Sequence, residues 1–136
     1  MATNTKIKIL IVEDHSRIAE AWSNILTQEG YNVIGICSGE KEGLTIAEEL
    51  NPDIVLMDIN LKEGNGISCT QKLMSSLPNC KVITLSMYND EKHFEDMFNA
   101  GAVGYVTKNS SIKEILSAIE VVLEGGTYIC DEMKDI

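Results

Sequence analysis

Five side chains stand directly behind apolar runs, and their types belong together chemically. Glu13 and Asp14 follow "IKILIV", Asp58 closes "DIVLMD", Ser86 closes "VITLS" and Lys108 closes "GYVTK". Acids are seldom buried unless paired or bound to metal. Three carboxylates held close repel one another unless a cation lies among them. An all-oxygen donor set selects a hard ion, and Mg2+ takes a few protein oxygens, keeps several waters and accepts phosphate oxygens. The loops are too short and too poor in acids for an EF-hand cage, and no histidine cluster suits zinc: His15 is expected to start a helix and point away from the acids, and His93 to lie on a helix surface. With a metal and a lysine nearby the set suits a phosphoryl group. A carboxylate can attack phosphorus to form an aspartyl phosphate, metal and ammonium neutralise charge on the transferring oxygens, and the Ser86 hydroxyl can donate a hydrogen bond from the other side. Asp58 is the expected nucleophile, because it ends the central strand with acids on one flank and Lys108 on the other.

The intervening elements must bring these groups together. Five β-rich runs, at residues 7–12, 33–37, 54–58, 82–86 and 103–106, alternate with five helical patterns. The runs are mostly unbroken rather than alternating, as fits parallel strands covered on both faces. Between them apolar residues recur at helical spacing: Ile18, Trp22, Ile25 and Leu26; Leu44, Ala47 and Leu50; Ile67, Leu73, Met74 and Leu77; Phe94, Met97 and Phe98; then Ile112, Ile115, Leu116, Ile119, Val122 and Leu123. These stripes read as core packing. Gly30, Pro52, Pro78 and Gly101 fall between elements, where turns belong. A (βα)5 alternation implies a parallel sheet with right-handed crossovers and helices on both faces. Ligands in such folds bind beyond the carboxyl ends of the strands, where strand order reverses. Two orders compete, Rossmann-like 3-2-1-4-5 and flavodoxin-like 2-1-3-4-5. The second makes the ends of the first, third, fourth and fifth strands neighbours around one crevice. A lone polar residue at a strand end marks only where the strand reaches solvent; the set of five is poorly explained that way.

The 136 residues fit one domain, long enough to bury a core without staples. A net charge of -10 argues against this chain gripping nucleic acid or an anionic membrane surface. The start, "MATNTKIKIL", carries too short an apolar stretch for a signal peptide. No run approaches the ~20 apolar residues of a membrane span. Cys37, Cys69, Cys80 and Cys130 are scattered without a C-x-x-C pair and read as free cytosolic thiols.

Taken together, "VEDH" after the first run, "MDINLKEGNGI" around the third, "VITLS" in the fourth and "GAVGYVTK" at the fifth resemble the receiver domains of two-component response regulators. The likeness runs from about residue 7 to 123, with its motifs ordered and spaced as in the family. It implies a flavodoxin-like (βα)5 three-layer sandwich whose five-stranded parallel sheet has the order 2-1-3-4-5. It implies Asp58 as phosphoacceptor, and Mg2+ held by Glu13, Asp14, Asp58 and the backbone carbonyl of Asn60. Lys108 would bind the phosphoryl group, Ser86 would be the switch hydroxyl, and Tyr105 the aromatic that moves inward when Ser86 engages the phosphate. Gly66 matches the family's glycine beyond the phosphorylation site, and Asn60 and Tyr88 occupy the positions that border the approach of hydrolytic water. The implied function is a cytoplasmic signalling switch rather than a metabolic enzyme. It would accept a phosphoryl group from a sensor histidine kinase, catalyse its own transfer and slow dephosphorylation, and control transcription through an output domain. Homodimerisation on phosphorylation is a further expectation; direct contact with nucleic acid or membrane is not.

Two positions depart from the family. Lys62 stands where proline is frequent, and Asn109 follows Lys108 where the family often has a cis proline; a cis bond is costly without proline. The tail "EGGTYICDEMKDI" resembles the linker toward a LuxR-type helix-turn-helix output domain. Residues 1–124 are therefore expected to form the receiver, with Gly125 and Gly126 ending the last helix and 125–136 leading away as linker. The alternative is a Mg2+-dependent phosphatase working through an aspartyl phosphate, resembling the haloacid dehalogenase group. Such enzymes want an acid where this chain has Asn60, which cannot do that proton chemistry. A flavin or nucleotide binder would want a Gly- or Ser/Thr-rich loop after the first strand, where "EDHSRI" offers acids. A pseudo-receiver, binding partners without phosphorylation, sits poorly with the intact set.

Overall fold

The computed structural model describes residues 7–134; what was expected of residues 1–6 and 135–136 lies outside the described residues. The elements run β1 (Lys8–Val12), α1 (Ser16–Gln28), β2 (Asn32–Cys37), α2 (Glu40–Leu50), β3 (Ile54–Met57), α3 (Gly66–Ser76), β4 (Lys81–Ser86), α4 (Glu91–Ala100), β5 (Gly104–Thr107), α5 (Ile112–Leu123) and β6 (Tyr128–Ile129), then a 3-10 turn at Asp131–Met133. All strand pairs are parallel, in the order β2-β1-β3-β4-β5-β6. The first five follow the expected flavodoxin-like order, which sets β1 and β3 side by side with the reversal between them.

Burial explains the unbroken runs. Every residue of β3 and β5 is buried, as is all but the first of β1 and β4, because helices cover both faces. The edge strand β2 is the exception: it is half-buried, with Ile36 exposed. Helices α2, α3 and α4 pack in series on one face. Tyr31, just after α1, lines a cleft with Val121 and Leu123 of α5, which puts α1 and α5 together on the other. Most of the apolar stripes face the core, but Leu50, Ile112 and Leu123, at the ends of their stripes, are exposed. Side-chain caps fix three helix starts: Asn65 accepts from the Ser68 amide, Asp90 from His93 and Ser111 from Glu114. All four cysteines are buried and unpaired.

The tail departs from expectation. Gly125, at φ 93°, closes α5, but the chain then turns back instead of leaving. The Tyr128 amide donates to Val103 O and the Cys130 amide to Tyr105 O, each at 3.0 Å, extending the sheet by a sixth strand. Cys130 and Met133 are buried. A strand of two residues has no periodicity to read, and its apolar anchors are spaced like a loop.

Candidate functional site

Backbone hydrogen bonds between strand ends assemble the site. The Asp58 amide donates to Val12 O (2.9 Å), so the residue after β3 sits beside the residues after β1; the Glu13 amide donates to Cys37 O, and the Lys108 amide to Ser86 O (2.8 Å each). The chain then turns tightly over Asp58. Gly66 donates to Ile59 O, and a Cβ on Gly66 would overlap the Asp58 carbonyl, so only glycine fits.

Four of the anticipated residues converge directly. Carboxylate oxygens of Glu13, Asp14 and Asp58 lie within 4.8 Å of one another. Lys108 Nζ stands 2.8 Å from Glu13 Oε1 and 3.1 Å from Asp58 Oδ2. Glu13 and Asp58 are buried, and Asp14 is exposed at the mouth. Asp58 Oδ1 accepts from the Ile59 amide and Glu13 Oε2 from the His15 amide. His15 itself caps α1 in an exposed position. The resulting crevice, of about 110 Å3, is lined by Asp14, His15, Asp58, Asn60, Met87, Tyr88 and Lys108. A larger cleft, about 260 Å3, lies between the loops after α2 and α3 at the opposite end of the sheet. It gathers no comparable set of charges.

The electrostatics are unbalanced. Burial pushes the Glu13 carboxyl up to about 7, against the pull of Lys108 and the His15 amide, and Asp58 pushes it further the same way. Burial works against the Lys108 ammonium, but Glu13 and Asp58 outweigh it and hold its pKa above the ordinary lysine value. One ammonium is thus shared between two buried acids, with a third beside them. A buried carboxylate oxygen held by an ammonium that it shares with Asp58, next to two further carboxylates, fits a hard divalent cation. The residues present therefore suit Mg2+.

On the β4 side, Ser86 and Tyr105 are fully buried. Ser86 Oγ accepts from the Tyr88 amide at 3.0 Å, and the Tyr105 hydroxyl donates to Tyr88 O at 2.8 Å. Tyr105 therefore occupies the inward position, where burial pushes its hydroxyl up to about 12. The Tyr88 ring stacks on His93 with centroids 3.7 Å apart, and its hydroxyl accepts from Asn60 Nδ2 at 2.6 Å. Neither departure from the family distorts the site: Lys62 is exposed and donates its amide to Ser38 O, and the Lys108–Asn109 peptide is trans.

Two residues that carry much of this architecture were not singled out from the sequence. Glu40, at the start of α2, is buried. It accepts from the Asn65 amide (3.0 Å) and Ser68 Oγ (2.7 Å), and pairs with Lys72 at 3.0 Å. Asn65 forms a backbone bridge with Asn60, so Glu40 clamps the β3–α3 loop from behind. The second is Glu132, whose carboxylate receives Thr107 Oγ1 at 2.5 Å and Asn89 Nδ2 at 2.9 Å. Each partner lies at least 25 residues away in sequence, and an acid at a helix start or in a tail is ordinarily a surface residue.

Residues 9–120 match the family described as "Response regulator receiver domain". The chain belongs to that family. Receiver relatives include the transcriptional regulatory protein DegU of Brevibacillus brevis, 34% identical over 125 residues, which cover 91% of this chain and 53% of that protein. The chain thus spans about half the length of that relative. Among solved receivers, a LuxR-family two-component response regulator from an Aurantimonas species superposes with a TM-score of 0.90 at 29% identity, covering 94% of this chain and 92% of that one. A chain in the CheX–CheY complex with BeF3 and Mg from Borrelia burgdorferi superposes with a TM-score of 0.81 at 27% identity, covering 86% of this chain and 89% of that one. Among the described residues no helix is long and apolar enough to cross a membrane.

Proposed function

We propose that this receiver is a phosphorylation-dependent switch whose phosphoacceptor is Asp58. The observation that carries the reading is the buried pair Asp58 and Glu13 sharing the one ammonium of Lys108, with the Asp14 carboxylate beside them. Glu13, Asp14, Asp58 and the Asn60 carbonyl would hold Mg2+. Bound there, the ion supplies charge neutralisation for phosphoryl oxygens. The solved relative whose complex carries BeF3 and Mg supports the same pairing of ion and phosphoryl analogue.

The chain's own groups do the rest. A sensor histidine kinase presents an N-phosphorylated imidazole. A carboxylate oxygen of Asp58 attacks phosphorus in line, the P–O bond forms as the P–N bond breaks, and the electron pair leaves with the imidazole nitrogen. Lys108 Nζ, already held at 3.1 Å from Asp58 Oδ2, gives up part of its contact with Asp58 to a phosphoryl oxygen and so stabilises the charge spread over that group. Ser86, behind the crevice, turns its hydroxyl hydrogen toward a phosphoryl oxygen while its Oγ still accepts from the Tyr88 amide. Slow hydrolysis returns the protein to its starting state, by a water entering between Asn60 and Tyr88. Asn60 is an amide engaged with the Tyr88 hydroxyl and is no general acid, so the phosphatase alternative gains no support. Control of transcription through a DNA-binding output domain, homodimerisation on phosphorylation and a cytoplasmic location complete the reading; the named relative is a transcriptional regulator about half of whose length this chain covers.

Incubation with Mg2+ and acetyl phosphate, followed by intact mass, tests it. Wild type should gain one phosphoryl group and Asp58→Asn none. An adduct that persists in Asp58→Asn removes the assignment, and continuous phosphate release without an adduct would favour a phosphatase.

A further inference from the structure

We propose that residues 128–134 form a latch that closes on the β4–α4 loop when Tyr105 is inward, so that the chain's own C-terminal segment reads the state of the phosphoryl site. The proposal rests on the switch reading above for its trigger, but not for its mechanics.

An unbroken series of contacts runs from the switch hydroxyl to the tail. Ser86 Oγ accepts from the Tyr88 amide, and Tyr88 O accepts from the Tyr105 hydroxyl. These two bonds hold the backbone of Tyr88 at its N–H and at its carbonyl, and the next residue is Asn89. Asn89 Nδ2 donates to one oxygen of Glu132, and Thr107 Oγ1, directly before Lys108, donates to the other. One tail carboxylate thus spans the loop after Ser86 and the strand end that carries Lys108. Glu114 of α5 fixes the approach by accepting from the Tyr128 hydroxyl and the Asp131 amide.

The anchoring has two parts. The β6 hydrogen bonds to Val103 O and Tyr105 O, with buried Cys130 and Met133, depend only on β5 and the core. The bond from Asn89 depends on where the β4–α4 loop lies. If the tail were only an added strand, the first part would suffice and Glu132 could be any solvated residue. Its bidentate use of two donors from two elements, one of them the loop next to Ser86, is what a reader of that loop requires. Moving the loop removes one arm and leaves Glu132 held by Thr107 alone. A ligand shifts such an equilibrium only through contacts that differ between its states, and the Asn89–Glu132 bond is such a contact.

Amide hydrogen exchange at Met133 and Lys134, whose bonds to Cys130 O and Asp131 O close the turn that carries Glu132, is the test. In the protein without phosphodonor, Asn89→Ala and Tyr105→Phe should each speed exchange at both amides by about fivefold, the effect of losing one hydrogen bond from a local opening equilibrium. Asn89 is exposed, so its replacement leaves folding intact even where Tyr105→Phe loosens the core. With Mg2+ and acetyl phosphate, wild type should show slower exchange at these amides than without donor, and Asn89→Ala should lose that response. Unchanged exchange in both variants overturns the latch whatever the phosphodonor does, as does a wild-type adduct that leaves the tail amides unaffected. Absence of any mass adduct in wild type overturns the switch reading instead, while the two variants still decide the latch.

Discussion

Two buried carboxylates are treated oppositely: Glu13, which meets Lys108 beside Asp58, and Glu40, which holds the β3–α3 loop. Burial works to raise Glu40, but the Ser68 hydroxyl, the Asn65 amide and the Lys72 ammonium outweigh it and hold its carboxyl below the usual range. At Glu13 burial wins, despite Lys108 and the His15 amide. Glu40 is completed by donors from its own chain, to the point that Gly64, at φ 75°, has no room for a side chain beside it. Glu13 Oε1 has only a share of the Lys108 ammonium, which also serves Asp58. A buried charge completed internally is a structural clamp; one left incomplete is where a ligand's charge is expected. The difference separates scaffold from site within a few turns of chain.

Breaking the clamp should have the largest effect. Glu40→Ala leaves the Asn65 amide and Ser68 without their acceptor and should cost about 2–3 kcal/mol, with or without Mg2+, in urea unfolding. Lys72 is mostly exposed, and its freed ammonium adds little. Glu13→Gln in metal-free buffer at pH 8 should leave stability unchanged or raise it. Equal losses from the two substitutions would erase the distinction.

Metal sharpens the contrast. Mg2+ at about thirty times its Kd should stabilise wild type by about 2 kcal/mol, following RT ln(1 + [L]/Kd). Glu13→Gln and Asp14→Ala should lose most of that gain, and Glu40→Gln should keep it. Thermal melts with Mg2+ and with EDTA give the comparison, and identical wild-type melts in the two buffers would remove the metal from the argument.

The pH profiles should differ in sign. Glu13 has its folded pKa raised from 4.5 to about 7. Its contribution is therefore fully present below about 4.5 and is lost as pH rises through about 7. Glu40 has its folded pKa lowered from 4.5, so its contribution is present above that value and lost as pH falls below it. In EDTA, Glu13→Gln should flatten the wild-type decline between these limits, while Glu40→Gln should flatten the acid limb; the reverse assignment would contradict the two environments.

The smallest effect concerns the mouth. Tyr88 is half-buried, held by Asn60 and by its stack on His93, and borders the crevice beside Asn60. Tyr88→Ala should shorten the lifetime of the phosphorylated protein by about twofold to fivefold once the donor is removed, because an open mouth admits the hydrolytic water. An unchanged or longer lifetime would mean that the tyrosine does not guard the bond.

The five main strands and the groups Glu13, Asp14, Asp58, Ser86 and Lys108 were legible, because each of those groups follows an apolar run that a parallel sheet must bury; the runs left two strand orders open, and the family resemblance chose between them. Strand limits shifted by a residue: Asp58 lies just past β3 rather than in it. Glu40 and Glu132 were not legible. Their roles come from partners that only the tertiary fold brings near, and nothing in "SGEKEG" or "CDEMKD" distinguishes a clamp from a solvated acid. The exposure of Leu50, Ile112 and Leu123 was equally hidden, since periodicity gives the direction of a helix face but not where its cover ends.

Strand β6 also governs where this domain can be cut. With β4 on one side, β5 would present Val103 O and Tyr105 O on the other as open acceptors if the chain stopped at residue 124. "GYVT" is largely apolar, and a bare sheet edge of that kind can recruit a strand from a second molecule, the usual route to aggregation. Residues 128–129 close that edge, and Cys130 and Met133 plug the core beneath it. A chimera joined after Lys134 keeps the seal; one joined ten residues earlier would be expected to precipitate even though every residue of the phosphoryl crevice is still present.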